Sequence, residues 1–437
     1  MESHAQSVDD ALIGNLSYKL KSGASYVTNR RSVSYFAQGG NDYKPNGVRV
    51  MKFHLTGDQW LDPSTFRVAF QLNNLDYDPL GVAYVQPLSW NPAVFFRRAR
   101  IIAGGQVIED IDDFNRLSLM LTALKSGEEQ LMISSEGFNS FDDLYGNTDQ
   151  DSRKTYRSFD YDKAGVVREG RRVIFKPMFG MFNQDKLLPL RYMPLHVELE
   201  LVNSGSDAVH VGAWDGQTNT ANWSISDIQC KCDLLTLDNS LDNEYASHLL
   251  SGKTLPINFS TWNHTNQSTG NDKNFSANIN RALTRLKSVF ITLQGTEGAW
   301  NKSSNDFFHP IAVKATDAYS VNDEHQYQIQ IGSKLIPEYP VKSLTESLSQ
   351  LRKTVGGNFQ MFGRWYRTTK YIIGLDLEKV SGAGFTGMST KSGDLMTLNF
   401  RDCEVADLGG SIPQRVFCAL NYDAVLNIKD SGCELLD

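Results

Sequence analysis

The chain has 437 residues, with 43 Lys and Arg against 50 Asp and Glu, a formal charge of −7 and 41% apolar side chains. That length supports two domains with a core each, at about 100 to 200 residues per domain, and the composition excludes extended disorder as the main state. It also excludes a chain whose main task is to coat nucleic acid, which needs clustered Lys and Arg. A spanning helix is excluded as well, because no apolar run approaches the roughly 18 residues that one requires.

The opening MESHAQSVDDALIGNLSYKLK has acidic residues where a secretory signal has a positive flank, and no apolar stretch follows. The expectation is a chain kept in a cytosol or nucleus. Its five cysteines (Cys230, Cys232, Cys403, Cys418 and Cys433) are an odd number at irregular spacing, so reduced thiols are expected rather than a disulfide framework. The seven Asn-x-Ser/Thr triplets, at Asn15, Asn222, Asn258, Asn263, Asn266, Asn274 and Asn301, then read as loop chemistry.

Residues 1–45 are polar and end in AQGGNDYKPNG, a string of turn formers, and read as a flexible arm. From Val48 short segments alternate with period two, first Val48 to Leu55 and Thr65 to Leu72, separated by turn clusters such as Gly57-Asp58 and Leu61 to Ser64. Similar runs follow at Ala93 to Ile102, Arg171 to Phe175, Leu195 to Val202, Ile225 to Leu237, Leu286 to Gln294, His325 to Ile331, Tyr371 to Leu377, Leu395 to Phe400 and Arg415 to Ile428. Only three segments have helical spacing. One carries Phe114, Leu117, Leu121 and Leu124 behind a cap at Asp112 or Asp113, with Gly127 as its stop; one spans Leu241 to Leu250; one begins with a Ser343/Glu346 capping box and shows Leu344, Leu348, Leu351 and Val355 on one face.

The chain also resembles itself. Gly104-Gly105-Gln106-Val107-Ile108-Glu109-Asp110 and Gly332-Ser333-Lys334-Leu335-Ile336-Pro337-Glu338 match at an offset of 332 − 104 = 228, each preceded by a strand and followed by a helix. A second match, at an offset of 190, pairs the run from Ile228 with the run from Cys418, the last strand of each half. The reading is a tandem duplication with a boundary near residue 240, giving domains 46–240 and 241–437. Each half then holds about eight strands and one mid-chain helix. The expected class is all-β: two tandem eight-stranded antiparallel jelly rolls with a few short helices in the connections.

With the Gly332 to Val355 repeat, the run Leu187 to Leu199 (LLPLRYMPLHVEL) and the ending Leu420 to Ile428 (LNYDAVLNI), the sequence resembles the double jelly-roll major capsid proteins of tailless icosahedral DNA viruses, nearest the polinton, adintovirus and virophage types. The first repeat departs from the pattern, with Glu109-Asp110-Ile111-Asp112 where the second has Pro-Glu-Tyr-Pro. The resemblance implies a structural protein of the virion, assembled in the host cytoplasm or nucleus. Its partners would be itself, as a homotrimer forming a pseudo-hexameric capsomer, then neighbouring capsomers and penton or minor capsid proteins. Long loops would form outer towers and subunit contacts, with Phe138 to Gly170 and Trp214 to Trp223 as candidates.

No catalytic, cofactor-binding or metal-binding residue is assigned. Gly382 to Gly387 spells GxGxxG but is followed by loop and strand rather than helix, so it reads as a hairpin loop. Cys230-x-Cys232 reads as a buried strand pair, since no second half of a zinc site accompanies it. The paired acids Asp112-Asp113, Asp142-Asp143 and Asp160-x-Asp162 read as surface and cap residues. Two arginine groups, Arg97-Arg98-x-Arg100 and Arg168-x-x-Arg171-Arg172, together with Arg30-Arg31, are open to acidic partners, lipid headgroups, genome or plain strand-edge charge. The rival reading is a two-domain β-sandwich that binds or cleaves carbohydrate, suggested by 7 Trp and 17 Tyr.

Overall fold

A computed structural model describes residues 26–437, apart from 79–82, most of 127–166, 210, 215–216, 271, 295–324, most of 357–370, 381–384, 392–394, 404–413 and 431. Among the described residues sixteen main strands fall into two sets of eight. The first set is β1 (Val27–Phe36), β2 (Val50–Leu55), β3 (Trp60–Asn74), β4 (Phe96–Ala103), β5 (Gln106–Ile111), β6 (Gly170–Phe175), β7 (Leu195–Leu201) and β8 (Trp223–Leu237). The second is β9 (Leu255–Ser268), β10 (Phe275–Ile279), β11 (Leu286–Gln294), β12 (Gln326–Ile331), β13 (Lys334–Lys342), β14 (Ile373–Asp376), β15 (Met396–Arg401) and β16 (Arg415–Lys429). A final strand, β17 (Gly432–Leu436), folds back on β16.

The pairing shows the duplication directly. One sheet of the first set runs β1-β8-β3-β6 and the other β2-β7-β4-β5; in the second set the orders are β9-β16-β11-β14 and β10-β15-β12-β13. Adding eight to each label converts one roll into the other. Two antiparallel sheets facing each other bury one face of every strand, which is why the buried residues of β2 (Met51, Phe53, Leu55) and β10 (Phe275, Ala277, Ile279) alternate with exposed or half-buried ones. In the first roll Phe70, Phe95, Phe96, Phe175 and Trp223 fill the space between sheets with edge-to-face and stacked contacts, and Trp223 Nε1 donates to Gly205 O at 3.1 Å.

Among the described residues, three helices occupy connections as the spacing predicts: α1 (Phe114–Ala123), α2 (Asn239–Leu250) and α3 (Ser343–Val355). At α3 the capping box is shifted by one position. The Glu346 N–H donates to Ser343 Oγ, while its carboxylate accepts the Lys342 N–H at 2.7 Å. At α1 the expected cap is not made: Asp113 holds the cap position in a left-handed conformation (φ 47°, ψ 40°) with no side-chain bond to the helix. Its carboxylate is turned toward the second roll instead. The expected stop Gly127 lies outside the described residues.

The flexible arm expected through residue 45 requires correction. Val27–Phe36 is a strand, antiparallel to β8 from Val27↔Leu237 to Phe36↔Gln229, and it occupies the place in the first roll that β9 occupies in the second. Its composition resembles a loop because an edge strand carries a thin apolar pattern, here only Val33 and Tyr35 half-buried on one side.

Successive connections of a jelly roll emerge at alternate ends. In the first roll residues 37–49 and the described parts of 75–95, 112–169 and 202–222 lie at one end, here the long-loop end, and 56–59, 104–105 and 176–194 at the other, the short-loop end. The second roll repeats this, with 269–274 and α3 at the long-loop end and the two-residue turn 332–333 at the short. The rolls stand with like ends together. The Gly104 turn lies against Cys433, just past the short-loop end of β16, while the Arg116 guanidinium of α1 covers the Phe417 ring near the long-loop end, 3.6 Å from its centroid.

Removal of residues 1–36 tests the place of β1. A dispensable arm would leave stability unchanged, whereas loss of β1 uncovers one edge of β8. Thermal unfolding of the truncated chain is expected to begin several degrees lower than that of the full chain, or the product to aggregate.

Candidate assembly interfaces

Strand β5 is the edge of its sheet, and an uncovered edge invites pairing with other chains. Here the second roll covers it. A bulge in the β4–β5 pairing, where the register shifts between Ile101↔Glu109 and Ile102↔Val107, turns both Ile108 and Glu109 inward. Glu109 is only 1% exposed. It accepts the N–H groups of Gly180 (2.8 Å) and Met181 (2.7 Å), in the helical turn Gly180–Phe182 of the first roll, and the Thr261 hydroxyl of β9 at 2.6 Å. Burial pushes its carboxyl up to about 7, against the opposing pull of these three donors. The turn it holds presses directly on β9: a Cβ on Gly180 would stand 2.0 Å from Ser260 O, so only glycine fits.

A second set of contacts crosses at the α1 cap. Asp113 Oδ2 lies 3.2 Å from His264 Nδ1 and accepts the Asn266 amide at 2.7 Å. Burial alone would raise the Asp113 carboxyl, but the bonds from His264 and Asn266 outweigh it and leave the group below its ordinary value. Arg116 is buried against Phe417, and the desolvation pulls its guanidinium below its usual value. The in-chain junction is therefore a specific seam of named polar pairs within an apolar surround. Sequence reasoning placed Glu109 in the repeat and Asp113 at a cap but had no means of bringing either to β9.

Most arginines of the three groups meet the chain's own carboxylates, and Arg31 meets the Gln59 amide oxygen. Arg98 is bidentate to Asp110 at 2.8 and 2.6 Å, Arg97 reaches Glu200 at 3.2 Å, Arg100 reaches Glu198, and Lys52 reaches the same Glu198 at 3.2 Å. Together they form a charge ladder across the outer face of β2-β7-β4-β5. Arg172 pairs with Asp227, Arg168 lies over the Tyr84 ring, and Arg30 bridges Asp62 and Asp233. Exposed pairs of this kind add little stability each, and they engage Arg30, Arg97, Arg98, Arg100 and Arg172 within the chain.

Cys230 and Cys232 are both buried thiols of β8, on one face as their spacing implies. No group of three or more His, Cys, Asp or Glu that could hold a metal occurs among the described residues. Of the GxGxxG string, Gly382 and Gly384 lie outside the described residues; its last glycine, Gly387, packs on Arg285 and Leu286, and the adjacent Met388 bridges to Leu286, so this end joins a sheet rather than opening a helix. Asp142, Asp143, Asp160, Asp162 and nearly all of the Phe138 to Gly170 tower candidate lie outside the described residues. In the other candidate, Gly212–Trp214 pairs with Gln217–Asn219, which in turn pairs with Ala83–Tyr84, and Trp223 belongs to the core.

No protein-family model matches the chain, and no curated protein matches it in sequence. Solved structures do match. A quasi-atomic model of the PBCV-1 virus capsid superposes with a TM-score of 0.60 at 14% identity, over 94% of this chain and 97% of that one. The Faustovirus major capsid protein gives 0.54 at 7% identity, over 92% and 90% of the two chains, and the mavirus major capsid protein 0.50 at 11%, over 97% and 92%. At these identities the fold is what is shared. It is the double jelly roll, as expected from the sequence.

The Glu109 carboxyl links the junction to pH. Its ordinary value of 4.5 holds in the unfolded chain and about 7 in the folded one, so its contribution to stability is fully present below 4.5 and is lost as pH rises through about 7. Denaturant unfolding of the chain across that window is expected to show this decline. Glu109→Gln should flatten it and also cost about 1 to 3 kcal/mol, because its amide N–H₂ must face a backbone N–H donor.

Proposed function

We propose that this chain is the major capsid protein of an icosahedral virus. Three copies form a pseudo-hexameric capsomer, and capsomers tile the shell. The observation that carries the reading is the duplication itself: two rolls of one strand order, like ends together, in a fold shared over almost the whole chain with viral capsid chains. Two similar rolls per chain give six blocks from three copies, which suits a six-neighbour lattice without any cofactor or catalytic group. An obligate interface between subunits of this size can bury well beyond the roughly 1,600 Å² of a standard complex.

The domain limits fit the same reading, with α2 as the connection between a first roll that begins at β1 and a second that begins at β9. The long-loop end would face outward and the short-loop end inward. Pentons or minor capsid proteins complete the partner set, the virion is the location, and assembly takes place in the host cytoplasm or nucleus. Protein surface, rather than a small-molecule substrate, is what the chain recognises. The carbohydrate reading finds less support: among the tryptophans with described side chains, Trp60 and Trp223 are buried and Trp90 and Trp262 half-buried, so none stands out as a stacking platform for a sugar.

Electron microscopy of the purified chain at rising concentration tests the proposal. Hexagonal blocks that associate edge to edge into sheets or closed shells are expected. A field of single two-lobed particles at every concentration would overturn it.

A further inference from the structure

Strand pairing lines up three cations across the outer face of the β1-β8-β3-β6 sheet. Ser34 of β1 stands opposite Lys231 of β8, and Lys231 stands opposite Arg67 of β3. In the next pairing Val68 faces Phe175, which sets Lys176, one residue past the end of β6, beside Arg67. The neighbours Cys230, Val68 and Phe175 are buried between the sheets, so Lys231, Arg67 and Lys176 point outward, each half-buried. Two strand spacings, roughly 10 Å, separate the backbones of the outer two, a distance over which long side chains converge on one small ligand. None of the three forms an ion pair among the described residues, and the acids around them are already engaged. Asp62 and Asp233 hold Arg30, and Asp227 holds Arg172 and the Gln229 amide. Arg67 Nη1 donates only to the Ser64 and Phe66 carbonyls, at 3.1 and 3.0 Å. Burial, then the charges of Arg67 and Lys125, holds the Lys176 ammonium below its ordinary value, and only Asp62 pulls the other way.

The second roll shows the same frame with its charge balanced. Ser260 of β9 stands opposite Asp423 of β16, at the places of Ser34 and Lys231: 423 − 231 = 192, equal to the offset between the first residues of β16 and β8, 415 − 223. The Ser260 hydroxyl donates to Asp423, and Lys287 of β11 lies between two carboxylates, 3.5 Å from Asp423 and 3.7 Å from Glu378, just past β14. One roll therefore alternates acid, cation and acid across β16, β11 and the end of β14. The other sets three cations across β8, β3 and the end of β6. Like charges placed side by side on neighbouring strands repel, and the first roll has no carboxylate in the row to offset them.

We infer that the row of Lys231, Arg67 and Lys176 binds a dianionic phosphate or sulfate group, which brings from outside the negative charge that Asp423 and Glu378 provide in the second roll. Arg67, at the centre, offers a planar fork to two oxygens, while the two lysines act as point charges on either flank. The exposed Ser34 hydroxyl extends the row at its β1 end. The group is a structural counter-charge rather than a substrate: it ties β8, β3 and the end of β6 together across the outside of the sheet. None of this requires the shell reading, since every residue involved belongs to one roll of one chain.

Thermal unfolding of the full chain in sodium phosphate, against sodium chloride of equal ionic strength, tests the assignment. At about 10 mM phosphate the unfolding temperature is expected to stand several degrees above the chloride value, and titration calorimetry to count one phosphate per chain. Lys231→Asp, which installs the acid of the second roll, should abolish the phosphate shift. Lys176→Gln should weaken phosphate binding about tenfold or more, and Lys353→Gln, at an exposed position of α3, should keep the whole shift. Equal shifts in phosphate and chloride, or a phosphate shift that survives in both Lys231→Asp and Lys176→Gln, would overturn the site. Vesicles of phosphatidylcholine with phosphatidic acid separate the two sources of the group. Sedimentation with them that Lys231→Asp abolishes assigns the phosphate to a lipid headgroup; a phosphate shift without sedimentation assigns it to the free ion, and either result upholds the site.

Discussion

Everything in this molecule depends on each roll being closed by its first strand lying beside its last. Strands β8 and β16 are fifteen residues long and run at the centre of their sheets, with β1 or β9 on one flank and β3 or β11 on the other. Once that flank is filled, the outer surface of the first strand becomes the face that a neighbouring roll can use. In the second roll the neighbour is the first roll of the same chain. In the first roll no second roll lies on β1 among the described residues, and β1 is exposed along most of its length.

Burial of Glu109 shows what the chain gives up for that contact. A carboxyl removed from water costs several kcal/mol before compensation, and three donors return much of it only because a bulge and a glycine-bearing turn bring them within 2.6 to 2.8 Å. Apolar side chains of the same volume would seal the seam with less penalty. What the carboxylate adds is register: it can be satisfied only when β5, the turn at Gly180 and Thr261 all meet. A two-roll subunit that must present fixed faces to its neighbours gains from a junction that cannot slide.

The duplication was legible in the sequence because tight turns restrict residue choice. Gly104 and Gly105 take φ of 55° and 82° and Gly332 takes 58°, values that favour glycine in a two-residue hairpin, and these turns fixed the offset of 228. The long central strands were legible from their apolar content. Strands β1 and β9 were not, since Asn, Ser, Thr and Arg fill their outward positions and mimic loop composition. The seam was less legible still. Nothing local marks Glu109 as buried, Asp113 reads as a helix cap until His264 and Asn266 are seen to claim it, and the Arg97 to Arg100 group looks available until its acidic partners arrive from β5 and β7.

The central claim is that this chain is built to be one third of a block of six rolls. Light scattering coupled to size-exclusion chromatography measures that most directly. The account predicts a stable species of three times 49.0 kDa that persists on dilution. A mass of one chain, unchanged from dilute to concentrated solution and from low to high salt, would contradict it.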